Sequence, residues 1–363
     1  MSEGPPERIL VCLRYGIGDV VMEIPALASL RRKYPGARIT GLGAQPAMEL
    51  LEHSSLFDEL IGVEEWGLLH WGDTGNRWIR KRFLNWMEKK RFDLIIDPSH
   101  AVLAVRDALW KLDLPILDAA EPAQTDALDS GGGVLAIKEA ARRCWGIEVP
   151  AELPPSIHLS GSERRFADRF LENNSALGRP LLGVSPVASS PLKCWPVGRL
   201  AKVADIFSEQ GFTILLFRGP QREPAAEFLS HMAHTEHVVQ VGSYHLRRVA
   251  ALLAACTCLL CNDTGLMHMS AAVGTPVVGI FGPTSPRIYL PRDGGSRAVG
   301  GEETLFCPYR KTTVFGPSDC LIQGKCILGS ASCIRKVKIK DVLMEAEHIL
   351  ACSHCQEQSN VSN

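Results

Sequence analysis

The stretch CNDTGLMHMSAAVGTPVVGIFG, Cys261 to Gly282, gathers residue types suited to holding an anion. Asp263, Thr264 and Gly265 stand at the head of a helical pattern, and His268 follows three residues later. Asp263 is placed to act as the N-cap, and Gly274 stands where the C-terminal cap belongs. Thr264 and Gly265 then fall in the first turn, where backbone N–H groups lack helical partners and the helix end carries roughly half a positive charge. Such an end binds phosphate oxygens. Gly265 lets a ligand approach the backbone, and His268, on the same face, can donate a further hydrogen bond. An ordinary capped helix of an α/β sheet carries similar letters, so the segment alone leaves both readings open.

Other reactive residues sit at the ends of apolar runs. Asp19, in YGIGD with Gly16 and Gly18, follows the first strand, in the crevice where α/β proteins place ligands. It would also serve as the N-cap of a helix predicted from Val20 to Tyr34. Lys193 stands in KCWP, just after Ser189 and Ser190, and Glu223 follows FRGPQ at the end of another strand. No Asp-x-Asp pair, a common way of clamping a metal-bound diphosphate, occurs in the chain. Cys307, Cys320, Cys326 and Cys333 cluster without a close CxxC knuckle, whereas Cys352 and Cys355 form one around His354. Each group reads either as metal ligands or as plain thiols.

Composition narrows the class. Of 363 residues, 46% are hydrophobic and 22% charged, with a net charge of −1. That balance lacks the basic footprint of a nucleic-acid binder. The N-terminus MSEGPPERILVCLR lacks the charge pattern and apolar length of a signal peptide, so a cytoplasmic chain with mostly reduced thiols is expected. The longest apolar stretch, Val249 to Cys261, falls short of a membrane span. Between Glu64 and Asp93, Trp66, Trp71, Trp78 and Trp86 interleave with Arg80, Lys81, Arg82, Lys89 and Lys90. This is either a core-facing stripe with solvated charges opposite or a surface for anionic headgroups.

Strand-like runs RILVCLR, ARITGLGA and FDLIIDPS alternate with helical patterns in the first half. PLLGVSP, FTILLFRG, CTCLLCN and PVVGIFG repeat the theme in the second. Two doubly wound α/β domains with a ligand cleft between them follow. The expected boundaries are residues 1–160 and 181–336, joined by a Pro- and polar-rich linker at 161–180. A helix over 337–352 is expected to cross back onto the first domain, ahead of a polar tail at 353–363.

NDTGLMHMSAAVGTPVVGIFGPTSP closely resembles the signature of glycosyltransferase family 9, the ADP-heptose:lipopolysaccharide heptosyltransferases. LRYGIGDVVMEIPALASLRRKYPGARIT, KCWPVGRLAKVADIF and CIRKVKIKDVL extend the resemblance over most of the chain, in order. It implies the GT-B fold, two Rossmann-like doubly wound domains facing a central cleft, with the acceptor on the first and the nucleotide sugar on the second. It implies inverting, metal-independent transfer of heptose from an ADP-sugar to a lipopolysaccharide inner-core acceptor. The ADP-sugar is then a substrate and no cofactor is needed. Asp19 takes the position of the general base, with Gly16 and Gly18 in the acceptor-side loop. Lys193 matches the lysine at the donor phosphate, Glu223 the carboxylate at the donor ribose, and Ser189, Asp263, Thr264, Gly265 and His268 complete the donor site. Tyr15 and Gly16 replace the Ser-Ser that many members carry. The implied partner is an anionic glycolipid, with peripheral contact to the cytoplasmic face of the inner membrane. A nucleotide-sugar epimerase of the same architecture, or a nucleotide-sugar binder without catalysis, remain the alternative readings.

Overall fold

The computed structural model describes residues 4–13, 16–66, 77–97, 116–118, 133–150, 152–219, 222–301, 319–326, 328–329 and 332–361. The chain forms two compact units, Met1–Pro155 and Ser156–Asn363. In the first, β1 (Arg8–Cys12), β2 (Arg38–Gly43), β3 (Glu59–Gly62), β4 (Leu94–Asp97) and β5 (Ile116–Asp118) form one sheet in the order β3-β2-β1-β4-β5. Every pairing is parallel. β1 is buried from Ile9 onward, which is why its sequence is apolar without alternation.

The second unit holds six parallel strands: β6 (Leu181–Ser185), β7 (Thr213–Phe217), β8 (Val238–Val241), β9 (Cys258–Asn262), β10 (Val277–Phe281) and β11 (Arg297–Gly300). Their order is β11-β10-β9-β6-β7-β8. The strand order reverses beside β6: the chain lays down β6, β7 and β8 in one direction and then returns to place β9 on the other side of β6, so β6 and β9 become neighbours.

 

Ser185, the last residue of β6, is in register with Cys261 of β9, so the C-terminal ends of these two strands lie side by side. That point, where the strand order reverses, is where doubly wound sheets bind ligands.

Three expectations change. The segment 161–180 is not a free linker, because Gly161–Asn173 is a helix of the second unit. Ser160 and Glu163 close a capping box at its start, and Glu163 also pairs with the buried Arg247 of the Leu246–Ala254 helix. The first helix begins at Ile17 rather than Val20, with Gly16 as its N-cap. The last helix runs from Ile339 to Val361, through the residues expected as a polar tail. Its buried Val342, Ala346, Ile349 and Leu350 join the core of the second unit, beside Trp195 and Val337. The apolar spacing that suggested a crossing onto the first domain is thus used within the second. Apolar periodicity shows that a face is buried, not what buries it.

Candidate functional site

The site is built around Asn262, which ends β9 and is almost fully buried. Its Oδ1 accepts from the Trp195 backbone N–H at 2.9 Å, and its Nδ2 donates to the Pro186 carbonyl at 3.0 Å. One carboxamide therefore holds both ends of the loop that follows β6. Trp195 is anchored a second time, its indole N–H donating to the Val337 carbonyl at 3.1 Å. Within the loop, Ser190 caps the short turn Pro191–Lys193, its hydroxyl accepting from the Leu192 N–H at 3.3 Å.

This framework brings the Lys193 ammonium 2.7 Å from Asp263 Oδ2, with the two side chains 17% and 6% exposed. The Tyr289 ring lies beside the same ammonium, 5.9 Å from nitrogen to centroid. Asp263 is therefore not the helix N-cap that its sequence position suggested. Thr264, in extended conformation, takes that place, and no side chain caps the Gly265–Ala272 helix. A charge-assisted bond to Lys193 holds the carboxylate instead. Gly274 does end the helix, at φ +92°, the left-handed conformation that glycine adopts without strain.

His268 sits one turn into the helix and is buried. Its pKa is pushed down to about 4, chiefly by burial; the Lys193 charge acts in the same direction and Asp263 opposes it. At neutral pH the imidazole is therefore uncharged, with one nitrogen donating and the other accepting. The positive character of the site comes from Lys193 and the helix end. Ser189 lies exposed in the Lys193 loop. Glu223 is exposed in the first turn of the Glu223–His231 helix, beyond β7.

In the first unit, Gly16, Gly18 and Asp19 lie at the head of the Ile17–Lys33 helix, at the C-terminal end of β1. Asp19 is in the first turn rather than at the cap, where its charge suits the helix dipole. Its carboxylate folds back over Gly16, and a Cβ on residue 16 would collide with it. Glu23, one turn further on the same side of the helix, is fully buried.

The structure thus gathers Lys193, Asp263, Thr264, Gly265 and His268, and places the Asp19 group in the other unit. Sequence reasoning missed Asn262, Trp195 and Tyr289 as parts of the site. The first two stand inside the quoted motifs, but their bond spans 67 positions and is invisible locally. Cys320, Cys326 and Cys333 are partly buried, and Cys307 and the side chains of Cys352 and Cys355 lie outside the described residues. Among the described residues no group of three acids, histidines or cysteines is arranged to hold a metal. Trp71 and the side chains of Trp66 and Arg80 also lie outside them. On the Arg77–Lys90 helix, Phe83 and Met87 are buried, whereas Trp78 is 77% exposed beside exposed Lys81 and Arg82.

The chain is similar to known proteins in sequence and in fold. Residues 133–311 match the model of glycosyltransferase family 9 (heptosyltransferase). The chain is 36% identical to lipooligosaccharide heptosyltransferase 2 of Haemophilus influenzae over 150 residues, 40% of this chain and 43% of that protein. It is 25% identical to lipopolysaccharide heptosyltransferase 2 of Salmonella typhimurium over 308 residues, 80% of this chain and 87% of that one. The solved structure of E. coli ADP-heptose lps heptosyltransferase II superposes with a TM-score of 0.71 at 21% identity, covering 96% of this chain and 99% of that one. The two parallel sheets are those of a GT-B glycosyltransferase. The family match and the heptosyltransferase relatives together support glycosyltransferase family 9, the heptosyltransferase family, for this chain.

Proposed function

We propose that the protein transfers heptose from an ADP-sugar to an inner-core lipopolysaccharide or related cell-envelope acceptor, with inversion and without a metal. The observation that carries this reading is the Lys193–Asp263 pair beside the uncapped Gly265–Ala272 helix and His268, at the ends of β6 and β9. A diphosphate fits there. Lys193 spends one of its three N–H groups on Asp263 and keeps the others for phosphate oxygens. Asp263 thereby acts as a positioning residue for that cation.

In the proposed reaction Asp19 accepts the proton of the acceptor hydroxyl, whose oxygen attacks the anomeric carbon. The bond from that carbon to the diphosphate breaks, and the electron pair leaves with ADP. Lys193, the first-turn N–H groups and the neutral His268 stabilise the charge that develops there. Ser189 and Glu223 fit contacts with the phosphate and ribose. Direct attack, with no enzyme nucleophile, inverts the anomeric centre. The exposed Trp78, Lys81 and Arg82 support an encounter with an anionic glycolipid at the cytoplasmic face of the inner membrane.

The test is transfer from ADP-heptose to a heptose-deficient lipopolysaccharide in excess chelator. Labelled heptose should reach the acceptor with unchanged rate. Activity that disappears in chelator and returns with magnesium or manganese would remove the metal-independent mechanism, and no transfer under either condition would remove the donor–acceptor assignment.

A further inference from the structure

At the opposite end of the first sheet from Asp19, a cavity of about 220 Å³ is lined by Arg8, Arg38, Thr40, Lys90 and Phe92. Arg8 opens β1 and Arg38 opens β2, and the register sets them directly opposite each other on strands about 5 Å apart. Like charges in that position repel, and the sheet is weakened unless an anion lies between them. Two residues further along β2 comes the buried Thr40, opposite Glu59 of β3. Alternation along a strand puts Thr40 and Glu59 on the same face of the sheet as the two arginines.

The acids nearby are already engaged. Both Glu59 oxygens accept from the Lys90 ammonium, at 2.6 and 2.7 Å, and Arg38 reaches the same carboxylate only at 3.4 Å. Asp93 Oδ2 accepts from the backbone N–H groups of Glu7 and Arg8, both at 2.9 Å. The Arg8 guanidinium donates to the Lys90 carbonyl at 2.9 Å, its one side-chain hydrogen bond among the described residues. Three cations thus share one side-chain carboxylate. Arg8 and Arg38 are exposed, and each keeps most of its five N–H donors for a partner from outside.

We propose that this cavity is a second anion site, one that takes a phosphate dianion, either free or as the monoester group of a soluble molecule or a lipid headgroup. Two guanidinium forks and the Lys90 ammonium supply charge-assisted hydrogen bonds to its oxygens. The Thr40 hydroxyl adds a neutral donor, and the Phe92 ring an apolar wall for the carbon side of an ester. A bound dianion also offsets the repulsion between Arg8 and Arg38. The site stands at the N-terminal ends of the strands, whereas Asp19 follows the C-terminal end of β1, roughly 16 Å further along. It is therefore separate from the Asp19 group, and the donor-side residues belong to the other unit.

The experiment is calorimetric titration of the full-length protein with inorganic phosphate at constant ionic strength, with ADP present in excess to fill the donor site. Wild type is compared with Arg8→Ala, Arg38→Ala and Lys193→Ala. Wild type and Lys193→Ala should bind phosphate, and each arginine variant should bind it about tenfold more weakly with ADP affinity unchanged. Co-sedimentation with phosphatidylcholine vesicles, with and without phosphatidic acid, identifies the source. Capture by phosphatidic acid that free phosphate displaces and Arg38→Ala abolishes assigns a lipid phosphate; phosphate binding without capture assigns a soluble one. Phosphate affinity unchanged in both arginine variants would overturn the proposal, as would wild type that binds no phosphate. A loss confined to Lys193→Ala would put the anion in the donor site and overturn it as well.

Discussion

Asp263 gives Lys193 the carboxylate that would otherwise cap its own helix, and the first turn of that helix is left open. The kinetic roles of the site residues separate on this geometry. Asp19→Asn keeps the shape of the first turn but cannot take a proton, so turnover should fall about 10²–10⁴-fold with ADP affinity nearly unchanged. Lys193→Ala should weaken ADP binding and turnover together, because in the proposed reaction the cation meets the diphosphate before and during bond breaking. Comparing kcat with the dissociation constant of ADP for both variants checks the pair. A near-normal rate for Asp19→Asn would reduce Asp19 to a helix-terminus residue.

His268 makes a separate prediction. Its folded-state pKa of about 4 lies below the ordinary 6.5, so the unfolded chain binds this proton first as pH falls. Stability is therefore full above about pH 6.5 and declines as pH drops toward 4, by about 3 kcal/mol for this group. Urea unfolding across that window should show the decline in wild type and a shallower one in His268→Gln. Parallel profiles would contradict a buried, neutral imidazole.

Among the elements, the Gly161–Asn173 helix shows how a polar, charged stretch becomes structure. Its sequence, GSERRFADRFLEN, carries few apolar residues, and it looked like connecting chain. What secures it is one residue used twice, since Glu163 closes the capping box and meets the Arg247 guanidinium, which also donates to the His158 carbonyl at 2.6 Å. Glu163→Ala leaves Arg247 charged, buried and short of a partner, a change that costs about 3–5 kcal/mol. Chemical denaturation should show that loss. A change under about 1 kcal/mol, the size of a surface pair, would mean that the helix is held by its apolar contacts alone.

At the scale of the whole molecule, the second unit carries its own core and all of the residues proposed for the donor side, from Ser189 to His268. A fragment spanning residues 156–363 should fold by itself, bind ADP within a few-fold of the full chain and transfer no sugar. Circular dichroism, thermal melting and calorimetry on that fragment check this. A fragment that folds but does not bind ADP would place part of the donor site outside it.

The chain by itself determined the alternation of strands and helices, the two repeats of that theme and the motifs that mark the family. These are local properties: continuous apolar runs make strands buried on both faces, and Gly274 ends a helix because its conformation suits glycine. The tertiary structure decided which groups meet. Asp263 looks like a cap in sequence, because Lys193 is 70 residues away until β6 and β9 become neighbours. Asn262 binds Trp195 for the same reason, and the last helix buries its apolar face in the second unit because that is the core within its reach. Side-chain roles of this kind depend on strand order, and strand order is set by packing the whole sheet rather than by any local run of residues.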